Sequence, residues 1–373
     1  MKKLTKDMFI KDLAKLVSFR TVTGDIEQNR KALDFIQARV AEGARIKRIK
    51  NGGYECLIAS NASAREPDIC YLTHVDVVAG RPSQFKMTIK DGTAFGRGVS
   101  DMKFSIPIGY ALLNGLISSG SRLSFALVVT TDEETGGFKG ASYLADRYGL
   151  KPKALIVPDG GDGLVFVDKA KGVCIVRVDS KGKPAHSSRI WEGKNALEPL
   201  IRLCDAVLDR YGRNNRRESW KTTANIGKLE GGVSANQVCP EACAMLDFRF
   251  SETTTFAAIF DEVSAIAKKI DPTLKVSVYS KGEPTSTDAA DPTVRRFIRS
   301  FESAYRRKIK IRKTYGASDA RHFSKLRVPI LMIKPHGGDI HGDDENVDID
   351  SCMLFYQALE DFLRTSGSGQ KHW

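Results

Sequence analysis

Three short apolar runs constrain this chain most. Residues 69–78, 123–131 (LSFALVVTT) and 154–157 (ALIV) read as buried strands. Segments of helical character alternate with them: Leu33, Phe35, Ile36 and Val40 recur at helical spacing, and residues 105–116 form another such stretch. Short apolar strands alternating with helices point to an α/β sheet covered on both faces. Before them, Ile10, Leu13, Leu16 and Val17 mark a first amphipathic helix, with Lys and Asp between the apolar positions and no continuous apolar stretch of a signal peptide. Asn51-Gly52-Gly53 between two β-prone runs reads as a hairpin turn.

From about Val173 the pattern changes. Strands are expected over 173–179, 222–229, 242–250 and 274–279, and helices over 196–210 and 256–270. That β-α-β-β-α-β order is the split βαβ arrangement of a small α+β domain. After Pro284 the helix–strand alternation of the first part returns. The expected organisation is therefore one catalytic domain in two segments, 1–172 and 284–365, with a smaller domain inserted at 173–283. The tail 366–373 (SGSGQKHW) reads as disordered.

Composition excludes several classes. Of the 373 residues, 42% are hydrophobic and 28% charged, a balance that suits a globular core and argues against disorder. No apolar run reaches the roughly 18 residues of a membrane span, so no membrane partner is expected. The seven cysteines are scattered and odd in number, which fits reduced thiols in a cytoplasmic protein. Cys239 and Cys243 lie four apart, but lack the further Cys or His that a zinc site there would need. The net charge is +13, and residues 295–313 hold nine Lys or Arg and one Glu. Val294, Phe297, Ile298, Phe301 and Tyr305 follow helical spacing there, so the cations are read as the solvent face of a packed helix. No nucleic-acid motif accompanies them, and no nucleic-acid partner is expected.

Ligand groups gather at strand ends in α/β sheets, and metal-competent side chains stand at those ends here. His74 and Asp76 are two apart in the first run, which puts them on one side of an extended strand. Asp101 follows the turn Gly96-Arg97-Gly98. Asp132, Glu133 and Glu134 close the second run, and Asp159 the third, with Gly160 and Gly161 after it. His341 lies in a Gly-rich loop near the C-terminus, and His336, five residues earlier, is its rival. Three consecutive acids at the end of an apolar strand repel one another unless cations are present. Carboxylates mixed with imidazoles suit zinc, and cobalt or manganese less well. Any one of these features is commonly structural; together, five separated segments end in such groups.

The chain resembles the zinc-dependent exopeptidase and deacylase family of peptidase T, carboxypeptidase G, acetylornithine deacetylase and succinyl-diaminopimelate desuccinylase. The resemblance rests on Leu72-Thr-His-Val-Asp76, Asp91-Gly-Thr-Ala-Phe-Gly-Arg-Gly-Val-Ser-Asp-Met-Lys103, Thr131-Asp-Glu-Glu-Thr-Gly-Gly137, Pro158-Asp-Gly-Gly161, Pro184-Ala-His-Ser-Ser188, Gly231-Gly-Val-Ser-Ala-Asn236, Asp247-Phe-Arg249 and Tyr315-Gly-Ala-Ser-Asp319. These span nearly the whole chain in the family's order. The resemblance implies a mixed-sheet catalytic domain whose inserted domain serves as lid and dimerisation module, hence a homodimer. It makes Asp101 the ligand bridging two metal ions, with His74 and Asp159 completing one and Glu134 and His341 the other. Asp76 would orient His74, and Glu133 would be the general base. Two ions roughly 3.5–4 Å apart share a water and lower its pKa. His186 would stabilise the oxyanion from the partner subunit, and Asn236 and Arg249 would contact substrate. For Arg249 the competing reading is a salt bridge with Asp247.

The sequence departs from the family in two places: Phe104 follows Asp-Met-Lys where Gly is common, and the order after the last histidine, His341-Gly-Asp-Asp-Glu-Asn346, is altered. Asp at 159 resembles the aminopeptidase and dipeptidase branches, whereas the deacylases more often carry Glu. The expected substrate is therefore a di- or tripeptide, with an N-acyl amino acid as the alternative. A non-catalytic metal-binding scaffold is the third possibility, and the presence of Glu133 with all five ligands argues against it.

Overall fold

The computed structural model describes residues 3–161, 163–212 and 218–368. The chain divides into two compact units, one formed by residues up to Lys169 and from Ser286 onward, the other by Ala170–Thr285.

The first unit is built on a mixed sheet. Its strands run in the order Arg45–Asn51, Tyr54–Ser60, Phe125–Thr130, Ile69–His74, Ala154–Val157, Ile330–Met332 and Val165–Ala170. Ile69–His74 lies parallel to both Phe125–Thr130 and Ala154–Val157, with His74 opposite Thr130. These strands are buried on both faces, as their unbroken apolar sequences require. The hairpin closes at Gly52 and Gly53, with φ of 55° and 88°, and Asn51 pairs with Tyr54. Two successive positive φ values are what a type I′ turn demands, and glycine supplies them without steric cost.

Helices cover the sheet. The first, Lys6–Ser18, is capped by Thr5 Oγ1, which accepts the Met8 N–H at 3.3 Å, and it buries Phe9, Leu13, Leu16 and Val17. Ser105–Ser118 is buried along nearly its whole length. Pro292–Tyr305 turns Val294, Phe297 and Phe301 inward and leaves Arg295 and Arg299 exposed, the amphipathic helix the spacing predicts. Phe301 meets Phe355 edge-on at 5.2 Å, and Phe297 meets Phe362 at 5.1 Å, so this helix and Ile349–Ser368 share one aromatic core.

That last helix corrects one expectation. It continues through Ser368, and Ser366 is buried, its hydroxyl donating to Phe362 O at 2.7 Å and accepting from Arg296 Nε at 3.3 Å. The small polar residues at the start of the tail are thus held by helix continuation and a side-chain anchor. Residues 369–373 of the expected disordered tail lie outside the described residues.

The second unit is a four-stranded antiparallel sheet in the order Thr223–Gly231, Glu241–Phe250, Gly172–Lys181, Lys275–Gly282. Helices Leu197–Tyr211 and Phe256–Ile270 pack on it around Val176, Val178, Leu203, Phe248 and Val263. The period-2 pattern of Gly172–Lys181 buries Val176 and Val178, while Arg177 stays exposed. This is the α+β insert expected from the sequence pattern. Among the described residues no helix is long and apolar enough to cross a membrane.

Candidate metal centre

The parallel strands deliver their C-terminal ends to one place. His74 is the last residue of its strand, Glu133–Thr135 is a 3-10 turn just beyond Phe125–Thr130, and Asp159 lies two residues past Ala154–Val157. Asp101 comes from the segment Val99–Lys103, whose approach is set by Gly98: at φ 84°, a Cβ there would lie 2.7 Å from Val77 Cγ1. His341 is supplied by the loop before Asn346–Asp348.

Two groups of possible ligand atoms result, His74 with Asp101 and Asp159, and Asp101 with Glu134 and His341. Within each group the atoms lie within 4.8 Å of one another. Asp101 belongs to both. Its Oδ1 is 3.2 Å from His74 Nε2 and its Oδ2 is 3.1 Å from His341 Nε2, while Glu134 Oε2 is 3.1 Å from the same His341 nitrogen. Glu134 Oε1 is buried and unpartnered among the described residues. A buried carboxylate oxygen left without a donor fits a cation, and the mixed nitrogen and oxygen donor set fits a divalent transition metal.

The electrostatics describe a site with too many negative groups for its size. Burial works against the charge on Asp101, yet the imidazoles of His341 and His74 hold its carboxyl well below the usual range. His341 is pushed up to about 10 by its bonds to Asp101 and Glu134. For His74 burial opposes the charged form, and Asp101 and Asp76 overcome it, so its pKa rises. Burial, and then the neighbouring Asp101, push Asp159 up to about 6. The imidazoles and the carboxylates thus favour one another's charged forms, and a cation bound there competes with protons for the same atoms.

Asp76 differs from the expectation that it shares a strand with His74. The strand ends at His74. His74 Nδ1 donates to the Asp76 backbone carbonyl at 3.0 Å, and the Asp76 carboxylate is farther, at 3.5 Å. A peptide oxygen thus engages Nδ1 and leaves Nε2 to face the centre. The carboxylate instead accepts the N–H groups of Glu133 and Glu134 at 3.2 and 3.3 Å and the Thr23 hydroxyl at 2.7 Å. It thereby sets the turn that presents both glutamates.

Glu133 belongs to neither ligand group, and its Oε1 lies 3.9 Å from Arg321 Nη1. Burial, reinforced by Asp319 and Asp159 and opposed by His74 and Arg321, pushes its pKa well up. Asp132 is buried and faces inward, accepting the N–H groups of Lys139 at 2.7 Å and Gly140 at 3.1 Å, so it closes the turn. His336 is outside the centre: its Nε2 accepts from Arg307 at 3.1 Å. Cys239 and Cys243 are buried free thiols, the first donating to Glu241 O and the second to Glu230 Oε1.

In the second unit, His186 is exposed and its Nδ1 accepts the Ser188 N–H at 3.2 Å. Asn236 lies beside it in the fold, its carbonyl accepting the Ser187 N–H at 2.9 Å. Arg249 makes the salt bridge that was the competing reading, a fork onto Asp247 at 2.9 and 3.0 Å.

Four residues near the centre carried no role in the sequence reading. Glu345 and Arg97 form a buried pair at 2.8 Å. Arg321 faces Glu133, and Asp319 accepts the Thr130 hydroxyl at 3.0 Å. The sequence signals are Arg97 between two glycines, Asp319 at the end of the Tyr315-Gly-Ala-Ser-Asp319 stretch, and Arg321 two residues beyond it.

The family model described as peptidase family M20/M25/M40 matches residues 70–365, most of the chain. The chain belongs to that family. Family M20 enzymes are dinuclear metal hydrolases, and this one is a hydrolase with candidate ligand groups for such a centre. The M20 hydrolase is 26% identical to a succinyl-diaminopimelate desuccinylase of Azoarcus sp. over 356 residues, covering 89% of this chain and 91% of the relative. Its fold matches an M20 family metallo-carboxypeptidase of Sulfolobus solfataricus, with a TM-score of 0.81, 17% identity and coverage of 95% and 98% of the two chains. It also matches an aminopeptidase of Bacillus cereus, with a TM-score of 0.77, 18% identity and coverage of 96% and 98%.

Proposed function

We propose that this M20 hydrolase is an exopeptidase that cleaves the amide bond of di- and tripeptides, using two zinc ions held by His74, Asp101 and Asp159 and by Asp101, Glu134 and His341. The observation that carries the reading is the sharing of Asp101 between two ligand groups, with Glu133 beside them and outside both. Bound there, two divalent ions supply Lewis acidity toward the scissile carbonyl and a more acidic water. Glu133 takes the proton of the attacking water on its carboxylate and delivers it to the leaving nitrogen. Asp76 holds the backbone of Glu133 and so fixes where that carboxylate stands. His186 of a second copy donates to the developing oxyanion, which makes the working form a homodimer. Asn236 and Arg249 contact the substrate, Arg249 sharing its guanidinium with Asp247.

Asp159 supports the peptide reading, because Asp at this place resembles the aminopeptidase and dipeptidase branches. The sequence likeness to succinyl-diaminopimelate desuccinylases favours the second reading, hydrolysis of an N-acyl amino acid at the same centre. The deciding experiment assays the zinc-loaded protein side by side on free-amino di- and tripeptides and on N-succinyl and N-acetyl amino acids. Faster turnover of the peptides supports the first reading. Turnover confined to the N-acyl substrates overturns it in favour of the second.

A further inference from the structure

Asp101 and His341 come from distant parts of the chain, and one buried ion pair touches both their loops. Glu345 is 1% exposed and Arg97 3%. Glu345 Oε2 accepts from Arg97 Nη1 at 2.8 Å and from the Gly98 N–H at 2.9 Å. Its Oε1 accepts the N–H groups of Ser100 at 3.0 Å and Asp101 at 3.1 Å. Both oxygens are thus spent on the backbone that ends at Asp101. Arg97 faces the other way with its second amino group, which donates to the carbonyl oxygen of His341 at 3.1 Å. Gln84 adds to the same grip, its amide donating to Gly342 O at 3.1 Å and Asp343 O at 3.3 Å.

The difference between the two ligand groups explains why such a clamp is needed. His74 is almost fully buried on a strand end, whereas the His341 side chain is 49% exposed and its backbone sits at φ 64° in a loop. Packing and the Asp76 carbonyl fix the first imidazole, whereas the loop that carries the second is held by side chains that donate to its main-chain carbonyls. Outer partners of ligand residues typically alter metal affinity by roughly 10–100-fold when removed.

We propose that Arg97 and Glu345 are positioning residues that hold Asp101 and His341 in register, and that Arg97 sets the affinity of the Asp101–Glu134–His341 site in particular. The inference rests on the reading of these residues as metal ligands. Arg97→Lys keeps a cation for Glu345 but cannot fork to the His341 carbonyl as well. The test is zinc titration against a competing chelator, with the cobalt-substituted visible spectrum and the unfolding midpoint of the metal-free protein measured alongside. Wild type is expected to take two ions per chain. Arg97→Lys is expected to keep the first within a factor of about three and to bind the second roughly 10–100-fold more weakly, with the cobalt spectrum altered only on the second addition. Gln84→Leu, which removes no charge, is expected to weaken the same site several-fold and serves if Arg97→Lys does not fold. Wild-type affinity at both sites in either folded variant overturns the proposal, as does an equal loss at both with a lowered midpoint, the mark of a merely structural role. Fewer than two ions in wild type overturns the ligand reading itself, and the clamp with it.

Discussion

The two halves of the candidate metal centre are built by different means. The His74 half is made from strand ends: His74 and Asp159 close parallel neighbours in the sheet, and a backbone carbonyl orients the imidazole. The His341 half leans on a loop whose histidine is half exposed and whose position depends on side chains reaching to its carbonyls. A site embedded in the sheet inherits rigidity from the core, and one borne on a loop needs dedicated bonds. The contrast predicts that two ions bound at the proposed groups would differ in how tightly and how independently they are held.

Asp101 is where the contrast collapses, so its loss gives the largest effect. Asp101→Ala is expected to remove both ions, or nearly so, and with them all activity; full metal content measured in the purified variant would remove Asp101 as a bridge. Next comes Glu133→Gln, which is expected to keep both ions and the fold yet lower turnover by at least about 10²-fold, since the amide accepts no proton. Turnover near that of wild type would move the role of base elsewhere. His341→Ala sharpens the comparison directly: one ion of the two is expected to weaken while the metal-free protein unfolds at a nearly unchanged midpoint. His74→Ala, by contrast, should weaken the other ion and lower that midpoint, because it strips a buried carbonyl of its donor. Equal behaviour of the two variants in metal analysis and thermal unfolding would erase the distinction.

The smallest effect is a pH slope. Asp319 is buried, and burial followed by the neighbouring Asp132 pushes its pKa up to about 7. Its folded pKa exceeds the unfolded one, so between pH 4 and 7 the folded state binds more protons and this group's contribution falls as pH rises. In the metal-free protein, Asp319→Asn is expected to flatten that part of the stability profile, by an amount on the order of a few kcal/mol across the window. An unchanged slope in urea unfolding at pH 4, 5.5 and 7 would show that Asp319 is ionised throughout.

The strands, the insert and the gathering of ligand groups were legible because each has a one-dimensional signature: an apolar run, a change of period, an acid or histidine where the run stops. What depends on a third dimension was not. The carboxylate of Asp76 serves the glutamate turn, 57 residues away, and nothing near Asp76 in sequence says so. Glu345 sits in an acidic loop segment, Asp343-Asp-Glu, where the one inward-facing acid looks like its exposed neighbours. In sequence Arg249 fits a substrate contact as well as a salt bridge, and only its distances to Asp247 show where its guanidinium rests. The order at the start of the tail has no sequence signature for a similar reason, since Ser366 is held by a contact with Arg296 across the fold.

The interruption of the first unit by the second has a consequence in time. His74, Asp101 and Asp159 are all synthesised before Ala170, where the insert begins, and His341 only after Thr285, where it ends. At roughly 5–20 residues per second, the ribosome needs on the order of ten to forty seconds to travel from Asp159 to His341. A nascent chain therefore carries every residue of one half-centre while the other still lacks its histidine. On the growing chain, however, Asp101 still lacks the Glu345 carboxylate that accepts its N–H, so the strand-borne group also reaches its final setting only once the segment after the insert has emerged.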